Sequence, residues 1–172
     1  IFNIEKGKTT TLPLDIRQDA NDVSVIGQFN SESIISKYGK DVSILSQTGR
    51  GYYILAVLGV GQEPTNHALH DIEKERAAFE SWGRPVVLLF ESEADAKKFQ
   101  KDEFGSLPST VQYAIDKNGA IREQIAREMK LQSKTQMPMF IIADTFNRVV
   151  FSSQGYTIGL GEQMKNVFKK LK

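Results

Sequence analysis

Apolar and polar positions along the chain fall into blocks of distinct period. The run Tyr52-Tyr53-Ile54-Leu55-Ala56-Val57-Leu58 has no polar alternation, which predicts a central strand covered on both faces. It ends in Gly59-Val60-Gly61, and Pro64 then suits the first turn of a helix. Leu69, Ile72 and Phe79 recur at spacings of three and seven as one buried stripe. The helix is therefore expected to reach Trp82, with Gly83 as a left-handed cap and Pro85 just beyond it. Val86 to Phe90 reads as a second buried strand, and Glu93 to Asp102 as a short polar helix. Strand, helix, strand, helix implies parallel strands joined by right-handed crossovers.

Downstream the rhythm changes. Val111 to Ile115 reads as a strand, Asp116-Lys117-Asn118-Gly119 as a turn, and Ala120 to Met129 as a helix with Ile121 and Ile125 facing inward. Met137-Pro138 opens a strand through Ala143, and Asp144 to Asn147 turns it back into Val149 to Ser152, an antiparallel pair. A closing helix spans Gly161 to Leu171, with Lys169 and Lys170 suited to the negative end of its dipole. Upstream, Thr9 to Ile16, Val23 to Phe29 and Val42 to Leu45 favour short strands, Pro13 marking an edge or a bulge. The aromatic residues Phe79, Trp82, Phe140, Phe146 and Phe151 are expected in the core or on a sheet face.

Composition acts mainly by exclusion. With 172 residues, 25% charged and 40% hydrophobic, the chain lies in the ordinary globular range. A domain of this length buries roughly two-thirds of its unfolded surface and needs no covalent staples. None is available, because the chain has no cysteine. A net charge of +1, with lysines spread along the chain, gathers no phosphates, so nucleic acid is not the expected partner. The apolar stretch Tyr52 to Val60 is far shorter than the ~20 residues that span a bilayer. Ile1 stands in place of a starting Met, and no signal segment follows, so the chain reads as a piece of a longer protein.

The order of elements resembles thioredoxin, and in particular the extracytoplasmic thiol-disulfide oxidoreductases that carry an insert before their X-Pro strand. In those proteins the first long strand ends in a Trp-Cys-Pro-Pro-Cys turn. Here Leu58 to Asn66 registers without a gap: Gly61 replaces the Trp, Gln62 and Thr65 occupy the cysteine positions, and Pro64 is retained. Pro108 to Val111, Ile115 to Gly119, Met137 to Asp144 and Val149 to Gly155 match later family segments, so the likeness covers roughly Asp41 to Lys172. The resemblance implies an α/β fold: a thioredoxin-like three-layer α/β/α sandwich with a mixed sheet over 41–172, preceded by a β-rich extension over 1–40. It also implies a cis Met137-Pro138 bond. More narrowly, Gly51 to Leu55 leading to Gly61 to Leu69 resembles the cysteine-less thioredoxin-like modules at the C-terminal ends of bacterial proteins with a transglutaminase-like region upstream. That implies a redox-inactive, extracytoplasmic module.

Two readings follow for the site. In the first, Gln62, Glu63, Thr65, Met137 and Pro138 flank a groove that binds the upstream domain of the same polypeptide or an extended peptide, with no catalytic residue, metal or cofactor. In the second, Glu63, His67, His70 and Asp71, all on the polar side of one helix, form a metal-assisted or hydrolytic site. A solvated helix face accounts equally for those four residues, and Lys74 opposes a cation there. Thiol exchange needs a thiolate, which neither an amide nor a hydroxyl supplies. Disulfide reduction by this chain is accordingly expected to match the no-protein control, measured as insulin turbidity with dithiothreitol as reductant.

Overall fold

The computed structural model describes residues 24–102, 107–131 and 136–171. The strands are β1 (Gly27–Gln28), β2 (Ile34–Lys37), β3 (Lys40–Ser43), β4 (Tyr52–Val57), β5 (Val86–Phe90), β6 (Val111–Ile115), β7 (Met139–Asp144) and β8 (Arg148–Gln154). The helices are α1 (Ile44–Thr48), α2 (Glu63–Lys74), α3 (Arg76–Trp82), α4 (Glu93–Asp102), α5 (Ala120–Glu128) and α6 (Leu160–Lys170), with a single 3-10 turn at Lys117–Gly119. None of the described helices is long and apolar enough to cross a membrane.

The run at Tyr52 forms the middle of one sheet, in the order β1-β8-β7-β4-β5-β6-β2-β3. β4 lies parallel to β5, with Ile54 opposite Val86, and antiparallel to β7, with Val57 opposite Met139. β5 in turn is parallel to β6. The sheet is therefore mixed, as the crossovers and the hairpin together required. Successive side chains of β4 enter two separate cores. Tyr53, Leu55 and Val57 pack with Ile44 of α1 and Ile121, Ile125 and Ala126 of α5. Ile54, Ala56 and Leu58 pack with Leu69 and Ile72 of α2, Phe79 of α3, Phe99 of α4 and Met164 and Phe168 of α6. Helices thus cover both faces, giving the three layers of a thioredoxin-like sandwich.

One polar group lies deep in the first core. Tyr53 is fully buried, and its hydroxyl meets Ser31 Oγ at 2.8 Å. Ser31 Oγ donates its proton to the Asp144 carbonyl at 2.9 Å, so Tyr53 is the donor of the pair. Burial pushes the phenol pKa up to about 12. This chain of bonds joins the loop after β1 to the centre of the sheet and to the end of β7.

The strands that precede residue 41 belong to the same sheet as those that follow it. β1 pairs with the start of β8, and β2 pairs through Ser36 with Ile115 of β6. The proposed strand over Thr9 to Ile16 lies outside the described residues. Of the segment read as a strand over Val23 to Phe29, Val23 lies outside the described residues, and among the described residues 24–29 only Gly27–Gln28 is strand. The segment read as a strand over Val42 to Leu45 divides at Ser43, whose hydroxyl accepts the Ser46 N–H and starts α1.

The long helix expected from Pro64 to Trp82 is broken at Glu75, where φ is −100° and ψ is 22°. The bend carries Phe79 and Trp82 onto Phe168 of α6, edge-on at 4.9 Å and stacked at 4.1 Å respectively. Gly83 adopts the expected left-handed cap with φ 74°. Phe146 departs from expectation: it sits at the tip of the β7–β8 turn and is 70% exposed. The Asp144 carboxylate shapes that turn by accepting the N–H groups of Phe146 and Arg148 and pairing with the Arg148 guanidinium. The Phe146 ring lies out on this turn, with the Arg148 guanidinium 5.6 Å from its centroid.

α6 approaches α2 so closely that a Cβ on Gly161 would lie 2.7 Å from the Asp71 carbonyl oxygen. The Gly161 N–H also donates to Asp71 Oδ2 at 3.3 Å. The two atoms nearest the absent Cβ belong to the Asp71 backbone, which cannot rotate away, and Glu75 Cγ follows at 3.2 Å. Gly161→Ala is expected to lower unfolding free energy by roughly 1–3 kcal/mol, the usual cost of overpacking, measured by urea denaturation.

Candidate functional site

The candidate groove lies where β4 gives way to α2. The Gln62 N–H closes a turn onto the Gly59 carbonyl at 3.1 Å, and α2 begins with Pro64 in its first turn, where a missing N–H costs no helical bond. Gln62 is the N-cap residue and makes no side-chain capping bond. Its amide lies instead over Gly59, with Cδ only 2.6 Å from where a Cβ would stand. Thr65 points the other way: it is 1% exposed, and its Oγ1 accepts the Gly59 N–H at 3.1 Å. Of the two positions that register with cysteines, one is therefore at the surface and the other holds the loop from within.

Met137 faces this turn, and Pro138, which follows it, does not line the cleft that Met137 shares with the turn. Their peptide bond is cis, and Pro138 is fixed further by its carbonyl, which accepts the Gly155 N–H at 2.8 Å. Met137 is 5% exposed, yet its main-chain N–H and C=O make no hydrogen bond to any described residue. Glu63 is exposed at the rim. Gln62 and Met137 line a common cleft of about 280 Å³ with Leu58, Gly59, Glu91 and Arg122.

Glu91 and Arg122 carry the charge in that cleft, joined by Arg122 Nη1 donating to Glu91 Oε2 at 2.9 Å. Arg122 is set by the start of α5. The buried Asp116 carboxylate accepts the Ile121 N–H at 2.8 Å with Oδ1 and the Arg122 N–H at 2.9 Å with Oδ2, capping the helix. Gly119, at φ 68°, leaves room for the guanidinium to lie against it: a Cβ there would be 2.6 Å from Arg122 Nη2. Burial raises the Asp116 pKa above the ordinary aspartate range, opposed by the two helix N–H groups and by Arg122.

The second candidate cluster disperses. His67 reaches toward Glu63 at 3.8 Å, while His70 Nδ1 meets Glu73 at 2.9 Å. Asp71 turns to the closing segment, accepting from the Tyr156 hydroxyl and the Gly161 N–H. Among the described residues no three His, Cys, Asp or Glu side chains are grouped to hold a metal ion. Glu63, His67, His70 and Asp71 share a helix but do not converge on one point.

No family model matches the chain, and no curated protein sequence does. Solved structures do match. A thiol:disulfide interchange protein DsbE from Chlorobium tepidum superposes with TM-score 0.64 at 16% identity, over 87% of this chain and all of that one. BsSco, of the Sco family of cytochrome c oxidase assembly proteins, gives 0.61 at 14% identity, covering 88% of this chain and 99% of its own. The bacterioferritin comigratory protein of Xanthomonas campestris gives 0.57 at 11% identity, over 81% and 92% respectively. At such identities the likeness establishes the fold, which is thioredoxin-like. The chain carries that fold without a cysteine.

Sequence reasoning missed Glu91 and Arg122. Glu91 follows β5 directly, and in open α/β sheets ligands bind beyond the carboxyl ends of the parallel strands. That rule, applied to Val86–Phe90, was the available signal.

The raised Asp116 pKa has a definite consequence for stability. Between the unfolded and folded pKa values the native protein retains a proton that the unfolded chain has released, so stability falls as pH rises through that window. Relative to Asp116→Asn, the unmodified protein is expected to lose stability from the ordinary aspartate range upward and to level off above the folded pKa. Chemical denaturation of both proteins across pH 4 to 7 measures the difference.

Proposed function

We propose that this chain is a redox-inactive thioredoxin-like interaction module, docking an extended segment of protein along the groove between Gln62 and Met137. The observation that carries the reading is the Met137 main chain: a donor and an acceptor without a described partner, bordering a cleft with a polar amide on its other wall. Backbone polar groups in such places are normally paired, and an added strand pairs both. Gln62 supplies an amide that donates and accepts, and Met137 an adaptable thioether contact. Glu63 belongs to the rim. Thr65 and Pro138 serve by holding the two walls in place.

The occupant in this reading is the upstream domain of the same polypeptide, within a larger exported bacterial protein. The support is the resemblance of Gly51 to Leu69 to the C-terminal modules of transglutaminase-like domain proteins. An extracytoplasmic setting goes with that resemblance, as does the division into a lead-in over 1–40 and a thioredoxin-like body over 41–172. The described part of the lead-in leaves the groove open: β1 pairs with Arg148 and Val149, at the opposite end of β8 from Gln154, which faces Met139.

Amide shifts followed during titration with the upstream domain test the proposal. Perturbations are expected to centre on Gly59, Gln62, Glu63 and Met137. Shifts confined to the β1–β8 end of the sheet would refute it.

A further inference from the structure

Arg122 is an underused cation. A guanidinium presents five N–H donors, and among the described residues its side chain makes one hydrogen bond, to Glu91. Its Nε is buried without a partner. Arg122 is only 20% exposed, whereas Glu91 is 63% exposed, so the cation sits within the cleft and its counter-charge reaches into water. An ion pair with one solvated member is weak.

Resting on the docking proposal above, we infer that Arg122 is a carboxylate subsite that takes an aspartate or glutamate side chain from the extended segment lying along Met137, displacing Glu91. The planar fork of a guanidinium matches a carboxylate through two parallel hydrogen bonds. Gly119 favours this, because the guanidinium rests against a backbone with no Cβ, where any side chain would displace it. Asp116 contributes indirectly as a positioning residue, by bonding the Arg122 N–H and fixing the first turn of α5. Lys98 adds positive charge at the rim, its Nζ lying 3.6 Å from where a Cβ on Gly61 would be. A doubly charged phosphate suits the cleft less well, since the Glu91 carboxylate lines it.

The test uses acetylated, amidated hexapeptides of Ser, Thr and Val carrying one Glu at each central position in turn, each with a Gln counterpart, titrated by fluorescence anisotropy. One Glu position is expected to bind at least tenfold better than its Gln counterpart, about the gain of one charge-assisted hydrogen bond. Arg122→Gln should abolish that preference, so that each Glu peptide binds no better than its Gln counterpart. Arg122→Lys, which keeps the charge and loses the fork, should retain only part of it. Glu91→Gln should strengthen binding of the Glu peptide, because the internal competitor is gone. Gln peptides that bind with no preference for Glu at any position would overturn the subsite and leave the groove standing. A Glu preference that survives Arg122→Gln, or inorganic phosphate binding at Arg122 more tightly than the Glu peptide, would overturn it too. Failure of every peptide and of the upstream domain to bind would remove the groove and the subsite together.

Discussion

Burial of β4 on both faces is the constraint from which the architecture follows. Its backbone must find hydrogen-bond partners on two sides, and its side chains must find apolar cover above and below. β5 and β7 meet the first demand, in opposite orientations. The second requires helices on both faces, and α5 with α1 on one side and α2, α3, α4 and α6 on the other supply them. A strand so enclosed cannot slip by one residue without moving its side chains into the opposite core. The positions of Gly59, Gln62 and the start of α2 are thereby fixed relative to Met137, which leads into the neighbouring strand.

The parts of the fold that were legible in the sequence are those where burial and period agree. Tyr52 to Leu58 and Val86 to Phe90 are continuous apolar runs, and their strands form as read. The Gly83 cap and the turn from Asp144 were readable from local chemistry. The break at Glu75 was not, because Leu69, Ile72 and Phe79 keep a helical spacing across it and only the distant α6 reveals the bend. β2 offers only two apolar residues, Ile34 and Ile35, too few to mark a strand by pattern, although it pairs with its neighbour β3 as well as with the distant β6.

Gln62, Met137 and Pro138 were named through the resemblance to thioredoxin, and the structure brings Gln62 and Met137 to one cleft; the charged pair in that cleft was not named. Arg122 and Glu91 meet across a separation of 31 residues, and nothing in the spacing of either suggests the other. The polar quartet on α2 shows the reverse failure. Sequence proximity grouped Glu63, His67, His70 and Asp71, whereas the tertiary structure gives Asp71 to Tyr156 and Gly161 and the histidines to neighbouring glutamates.

The pairing of β1 with β8 also bears on how the domain is made. Gly27 is matched to Val149 and Gln28 to Arg148, so the first described strand to leave the ribosome waits for the last. The Gly161 approach to Asp71 adds a second closure from the same late segment. Contacts between residues so far apart in sequence slow folding, since the loop entropy must be met before they form. A chain that stops before residue 149 holds β7 without most of its hairpin partner, leaving the outer edge of β7 unpaired. The sheet therefore closes only once the β8 segment is available to both β7 and β1.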